Sequence, residues 1–241
     1  MILTILIGNT NTRLTWFQGR RIRHRLVLAT RSLAARPLPL TAQPVAGVAL
    51  ASVVPEATAI VCRDLVQSGL RPLVVGPKTE TGLGFRYNRR QLGADRVCLA
   101  VGAHRRYKKD AIVLDFGTAV TVNVITGSGE FLGGLILPGL GMMLNALAQG
   151  TAQLPAFAPA QPRSVLGHDT KGALRCGVFA ILSGGLSHII RRIEEETRRK
   201  YLVVATGGDA RRFRRRIKAI RVVDQDLASR GLVELFYINR R

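Results

Sequence analysis

Acidic side chains are scarce in this sequence. Fifteen Asp and Glu stand against 36 Lys and Arg in 241 residues, a formal net charge of +21, and no acidic residue precedes Glu56. The excess fills both halves, with 18 basic and 6 acidic residues in 1–120 and 18 and 9 in 121–241, so no single tail accounts for it. Cysteine is also sparse. Cys62, Cys98 and Cys176 are odd in number, far apart and set among apolar residues, which argues for buried reduced thiols in a cytoplasmic protein rather than a disulfide framework or a metal cluster. Long apolar runs are missing too. The two long uncharged stretches are broken, 37–55 by Pro44 and 131–162 by Pro138 with its neighbouring glycines, so neither offers the roughly 18 continuous apolar residues of a membrane span. The opening MILTILIGNTNT has no basic segment and stops being apolar after seven residues, which excludes a secretory signal.

What is present suits a folded α/β protein. Apolar residues make up 47% of the chain, enough to bury a sizeable core in one large domain or two smaller ones. Residues 2–7 and 14–17 read as strand, tight turn, strand. Residues 47–54 and 71–75 read as buried strands flanking a helix over 56–68, and 96–107 reads as a helix. Further on, 131–148 suggests a strand, a Gly/Pro turn and a buried helix, 171–200 a long helix, and 201–206 a strand ended by Gly207 and Gly208. The basic cluster Arg211 to Arg221, interleaved with Phe213, Ile217 and Ile220, describes an amphipathic helix with a cationic outer face. Its functional reading is a phosphate-binding surface for nucleic acid, in sequence-independent contact, or for an anionic partner, and its plainer reading is a solvated face. His24, His104, His168 and His188 have no metal-ligand spacing. Met142, Met143 and Leu144 suit packing, and Trp16 suits a place beneath the first hairpin.

The opening strand-turn-strand is repeated. Placing Gly8 over Gly117 aligns IGNTNT with FGTAVT at a spacing of 109 residues, which suggests two related halves, 1–109 and 110–241. Both loops are rich in Gly, Thr and Asn. Small residues let backbone N–H groups converge on a phosphate, and a third glycine pair in VVATGGDA adds to the signal. The same register sets Leu6 opposite Asp115.

Ordered motifs sharpen this reading: GNTNT at 8–12, SVVP at 52–55, TGLGFRYN at 81–88, GADR at 93–96, DFGTAVT at 115–121, FLGGLILPGL at 131–140, TAQLP at 151–155, GHDTKGALRCG at 167–177 and ATGGDA at 205–210. In this order they resemble the type III pantothenate kinase family of the acetate and sugar kinase/Hsp70/actin superfamily. The resemblance implies an α/β fold of two RNase H-like, actin-like ATPase lobes with a nucleotide cleft between them. It implies a kinase that transfers the ATP γ-phosphoryl group to pantothenate, the first step of coenzyme A biosynthesis, with Mg²⁺ and a monovalent cation (K⁺ or NH₄⁺), in a cytoplasmic homodimer. Carried onto this chain, Asp95 becomes the general base. Gly8, Asn9, Thr10, Asn11, Thr12, Gly117, Thr118, Gly207 and Gly208 become contacts to ATP and its phosphates. Tyr87, Gly93, Ala94, Arg96 and Thr170 become substrate contacts, Thr170 across the dimer interface, and Asp115 becomes the ligand of the monovalent cation. On spacing alone, Asp95 also suits a helix N-cap, Arg96 a surface ion pair, Tyr87 a half-buried loop aromatic and Thr170 a helix cap.

One residue departs from the pattern. The family's first motif begins with Asp, which helps to hold Mg²⁺ and its waters, and here that position is Leu6. Leucine cannot coordinate a cation. The alternative is therefore a weak or inactive paralogue that binds nucleotide or pantothenate, or serves as a transcription-accessory protein. Retention of Asp95, Arg96, Asp115 and Thr118 favours an active kinase.

Overall fold

The computed structural model describes residues 1–35, 37–40 and 44–240, so part of the uncharged stretch 37–55 lies outside the described residues. The elements run β1 (Ile2–Ile7), β2 (Asn11–Gln18), β3 (Arg21–Ala29), a 3-10 turn (Thr30–Ala34), β4 (Gly47–Ser52), α1 (Pro55–Gln67), β5 (Pro72–Val74), β6 (Gly84–Phe85), a short 3-10 turn (Arg89–Gln91) and α2 (Ala94–Tyr107). They continue with β7 (Ala111–Phe116), β8 (Ala119–Ile125), β9 (Glu130–Pro138), α3 (Leu140–Gln149), α4 (Thr170–Thr197), β10 (Leu202–Thr206), α5 (Ala210–Arg214), β11 (Ile220–Val223) and α6 (Leu227–Ile238). Contacts gather these into two compact units. The first holds residues 1–108, 125–133 and 226–241, and the second holds 109–124 and 134–225. The first break in the chain falls between Lys108 and Lys109, and two later segments rejoin the first unit.

The first unit is built on a mixed sheet of order β3-β2-β1-β4-β5. β1 pairs antiparallel with β2 and parallel with β4, so alternate β1 side chains face opposite layers. Leu3, Ile5 and Ile7 join Leu14, Trp16, Val48 and Leu50 on one face, packed with Ala57, Val61 and Leu65 of α1. Trp16 thus lies in the core beneath the hairpin. The other face carries α6, whose Ser229 hydroxyl sits 3.2 Å from that of Thr15. α2 and α6 approach through two glycines: a Cβ on Gly102 would lie 2.4 Å from the Leu227 carbonyl oxygen, and one on Gly231 would overlap Cys98. β6 pairs with the start of β9 in this unit.

The second unit carries strands in the order β11-β10-β7-β8-β9. β7 and β10 run parallel, bringing Asp115 beside Thr206. Phe213 stacks between Phe116 at 4.7 Å and Phe179 at 5.1 Å, anchoring α5 and α4 to the β7 end.

Several expectations need correction. The basic segment 211–221 is not one amphipathic helix: α5 ends at Arg214, and Ile220–Val223 is a strand. Phe213, Ile217 and Ile220 are buried, but they come from helix, turn and strand in succession. β5 is only partly buried because it is an edge strand. α3 is not a buried helix, since only Leu140 and Leu144 are covered and Met142 is 47% exposed. By length and composition α4 is apolar enough to cross a bilayer, with only 28% of its most apolar window buried.

Candidate active site

In the first unit, the turn between β1 and β2 is locked from behind. The Gly8 N–H donates to the Asn11 carbonyl at 3.0 Å. The Thr30 hydroxyl donates to the Gly8 carbonyl at 2.7 Å and lies 3.0 Å from the Thr12 hydroxyl, and the Thr30 N–H donates to Thr10. Thr12 is therefore turned inward as part of the clamp, while Asn9, Thr10 and Asn11 are exposed. The clamp residue Thr30 was not legible as a site residue, because it follows a strand, β3, whose arginines and histidine interrupt its apolar pattern.

Asp95 belongs to the same end of this unit. The Val53 N–H, just past β4, donates to the Ile7 carbonyl at 3.1 Å, and Val53 in turn lies against Gly93. Gly93 is the N-cap of α2, so Asp95 is not the cap but the second helical residue. Its carboxylate folds back to accept the Arg96 N–H at 2.8 Å, and a Cβ on Gly93 would lie 2.5 Å from its Oδ1. Burial pushes the Asp95 carboxyl above its ordinary value, opposed by the Arg96 N–H and the Arg96 charge. Ala94, half-buried, opens the helix between cap and carboxylate.

Arg96 is buried rather than a surface partner. Its guanidinium lies 5.3 Å from the Tyr87 ring and 5.6 Å from Phe131, and Tyr87 meets Phe131 edge-on at 5.9 Å. Two aromatic faces hold the cation where desolvation strengthens such contacts. Phe131, from FLGG, is the support that motif reading overlooked.

In the second unit, Asp115, Gly117, Thr118, Gly207 and Gly208 come together where β7 and β10 end. The Gly117 N–H donates to the Ala119 carbonyl at 3.1 Å, and Gly139 at the head of α3 donates to the Thr118 carbonyl at 3.1 Å. Gly207 has φ +86°, and a Cβ there would lie 2.4 Å from Asp115 Oδ1, so only glycine allows this approach. The Gln225 side-chain amide donates to the Gly207 carbonyl at 3.0 Å, a further support not evident beforehand. Thr118 and Gly208 are exposed and Asp115 is half-buried.

Thr170 comes from a different element of that unit, α4. It is the first residue of α4, but Asp169 is the cap, accepting the Gly172 N–H at 2.6 Å. Thr170 lines a groove of about 740 Å³ between α3 and α4, with Met142, Met143, Leu174 and Ile181.

Both turns suit phosphate, having exposed small polar residues and glycines at strand ends. Asp115 is a half-buried carboxylate at a strand end. Mg²⁺ does not fit the matching place on β1, because Leu6 stands there with Arg13 directly across the pair and Ala51 on its other side. Among the described residues, no group of three or more His, Cys, Asp and Glu is placed to hold a metal ion.

A family model described as type III pantothenate kinase matches residues 2–192. The chain belongs to the type III pantothenate kinase family. The type III pantothenate kinase of Moorella thermoacetica is 37% identical over 96% of this chain and 97% of its own length. That of Hyphomonas neptunium is 36% identical over the whole of both. Solved structures share the α/β fold: a candidate Baf family transcriptional activator from Campylobacter jejuni (TM-score 0.65, 19% identity, 99% of this chain and 98% of that one) and a ROK hexokinase from Thermus thermophilus (TM-score 0.51, 14% identity, 99% and 98%). The α/β fold implied by the motifs is thus the fold observed.

Proposed function

We propose that this chain phosphorylates pantothenate at the expense of ATP, giving 4'-phosphopantothenate. The observation that carries the reading is Asp95. It is a carboxylate of raised pKa, held at the head of α2 beside the end of β1 and one residue from the aromatic-flanked Arg96. A base whose pKa is lifted towards the working pH removes a hydroxyl proton more effectively than an ordinary carboxylate. In this reading Arg96 and Tyr87 orient the substrate, with Gly93 and Ala94 shaping the head of the helix. Asn9, Thr10, Asn11 and the backbone of Gly8 bind phosphate, with Thr12 positioning the loop from within. Gly117, Thr118, Gly207 and Gly208 serve the nucleotide, and Asp115 holds K⁺ or NH₄⁺. Mg²⁺ would supply charge compensation at the transferred phosphoryl group, and Leu6 leaves β1 without a carboxylate to hold it. The test is ADP release with ATP, pantothenate, Mg²⁺ and K⁺ or NH₄⁺. Asp95→Asn is expected to lower kcat by about 10²-fold or more, and equal rates for the two proteins would refute the assignment.

The groove at Thr170 supports a homodimer. Ile181 is 64% exposed and Met142 47%, apolar surface that a second copy would cover while bringing Thr170 to its partner's substrate. Ile181→Glu should then yield monomers by sedimentation. Free Cys62, Cys98 and Cys176 suit the cytoplasm. Exposed Arg211, Arg214 and Arg215 suit sequence-independent nucleic-acid contact that fades as salt rises. Leu6 favours a second reading, a non-catalytic relative that binds pantothenate or nucleotide. Retained pantothenate binding with no ADP release above background would select it.

A further inference from the structure

Two arginines of the basic segment 211–221 reach backbone rather than solvent alone. Arg212 Nη1 donates to the Pro159 carbonyl at 3.3 Å, and Arg216 Nη2 donates to the Pro162 carbonyl at 2.8 Å. Both acceptors lie in residues 150–169, which join α3 to α4 within the second unit and form neither helix nor strand. No acidic residue occurs in that segment before Asp169, and Pro155, Pro159 and Pro162 have no N–H to donate. The segment therefore offers a guanidinium carbonyl oxygens instead of carboxylates.

The same segment is fixed to α4. The Cys176 thiol donates to the Ser164 carbonyl at 3.4 Å, the Arg175 guanidinium lies 5.4 Å from the Phe157 ring, and a Cβ on Gly167 would overlap the Ala173 backbone. Residues 150–169 thus form a strap that is tied on one side to Arg212 and Arg216 and on the other to the head of α4, where Asp169 caps the helix and Thr170 begins it. Arg212 has a second partner. Its Nη1 also donates to Asp209 Oδ1 at 2.7 Å. Asp209 directly follows Gly207 and Gly208, and its N–H donates to the Phe116 carbonyl at 3.3 Å, one residue before Gly117. Phe213, the next residue after Arg212, is stacked between Phe116 and Phe179, so the backbone that carries the guanidinium is held in place.

We propose that Arg212 is a positioning residue, supported by Arg216: it holds the strap, and through the strap Thr170, in a fixed place relative to the turn at Gly207 and Gly208. This role rests on the assignment of Thr170 to the substrate and of that turn to the nucleotide. A planar guanidinium suits it, because its donors lie at fixed angles and one group serves a carboxylate and a carbonyl together. Cutting the tie loosens a substrate contact without removing any group at the reacting atoms. Binding common to the ground state and the transition state is lost, which raises KM and leaves kcat in place.

The test compares Arg212→Gln and Arg216→Gln with Lys218→Gln, which removes the same charge from an exposed position of the same segment. In the full chain, Arg212→Gln is expected to raise the KM for pantothenate by about tenfold with kcat within about twofold of the parent. Arg216→Gln should raise it by about threefold, and Arg212→Lys, which keeps a donor, should recover part of the loss. An unchanged KM for pantothenate in Arg212→Gln, a fall in kcat alone, or an equal loss in Lys218→Gln would overturn the role. Chymotrypsin reads the tie without substrate: cleavage after Phe157 should be faster in Arg212→Gln than in the parent and in Lys218→Gln, and equal cleavage would show that no tie exists. A parent that neither releases ADP nor binds pantothenate, with the cleavage difference present, would refute the kinase reading and reduce the tie to a structural one.

Discussion

The β1–β2 turn and the β7–β8 turn are two copies of one device with one chemical difference. Both leading strands are six residues long and share one burial pattern, with only the fifth residue less than fully buried. Both end in a glycine whose N–H closes the turn, at 3.0 Å in one and 3.1 Å in the other. The fifth residue is Leu6 in the first and Asp115 in the second. Because the same turn forms around either side chain, the carboxylate is not needed to build it. A half-buried charge that folding does not require is a local cost borne for function. Around Asp115 the second unit gives up a side chain at Gly207 to admit the carboxylate, whereas around Leu6 the first unit presents Arg13.

Exchanging the two residues tests this most strongly. Asp115→Leu should fold at least as well as the parent, by melting temperature, yet lower kcat by about a hundredfold. Loss of folding instead would make Asp115 structural. In the other direction, Leu6→Asp should raise the rate, by about tenfold if it restores roughly 1.4 kcal/mol of charge stabilisation. Arg13 sits directly opposite and will pair with the new carboxylate, so Leu6→Asp with Arg13→Val should exceed Leu6→Asp alone. No gain from either would favour the non-catalytic reading.

The glycines give a smaller contrast, readable by denaturation. Gly207→Ala places a Cβ 2.4 Å from Asp115 Oδ1 at φ +86° and should cost about 2 kcal/mol or more. Gly8→Ala meets only the Asn11 carbonyl at 3.2 Å and should cost about 1 kcal/mol or less. Equal losses would remove the distinction between the two turns.

The smallest effect concerns pH. Burial raises the Asp95 carboxyl in the folded chain, so the folded state keeps a proton that the unfolded chain has already released just above pH of about 4. Stability therefore falls as pH rises through that window and stays lower at neutral pH. Asp95→Asn should melt above the parent at pH 7, with the difference vanishing below about pH 4. The acid limb of kcat/KM should lie above the ordinary Asp range.

The strands that carry the site were legible because they are short apolar runs ended by glycine, and 2–7 and 111–116 match β1 and β7. β3 was not, since RIRHRLVLA alternates only weakly and gains its strand from pairing with β2. The 211–221 segment misled because buried apolar residues at helical spacing also satisfy a short helix, a turn and a strand in succession. α6 could have been found from Leu227, Leu232, Leu235 and Phe236, but nothing local says that it returns to the first sheet. Its contacts with Thr15, Arg20 and Arg25 are separated by more than 200 residues in sequence.

That return has a consequence for biosynthesis. Strands β1 to β4 leave the ribosome early, yet one layer of their sheet stays uncovered until the chain beyond Asp226 has been translated. The second unit, by contrast, needs nothing after Gln225. The nascent N-terminal half must therefore wait with apolar surface exposed while the downstream unit has all it requires to fold first, reversing the usual vectorial order. Stalled chains lacking the last 16 residues should engage chaperones and be cut by protease within 1–108 while 134–225 stays protected.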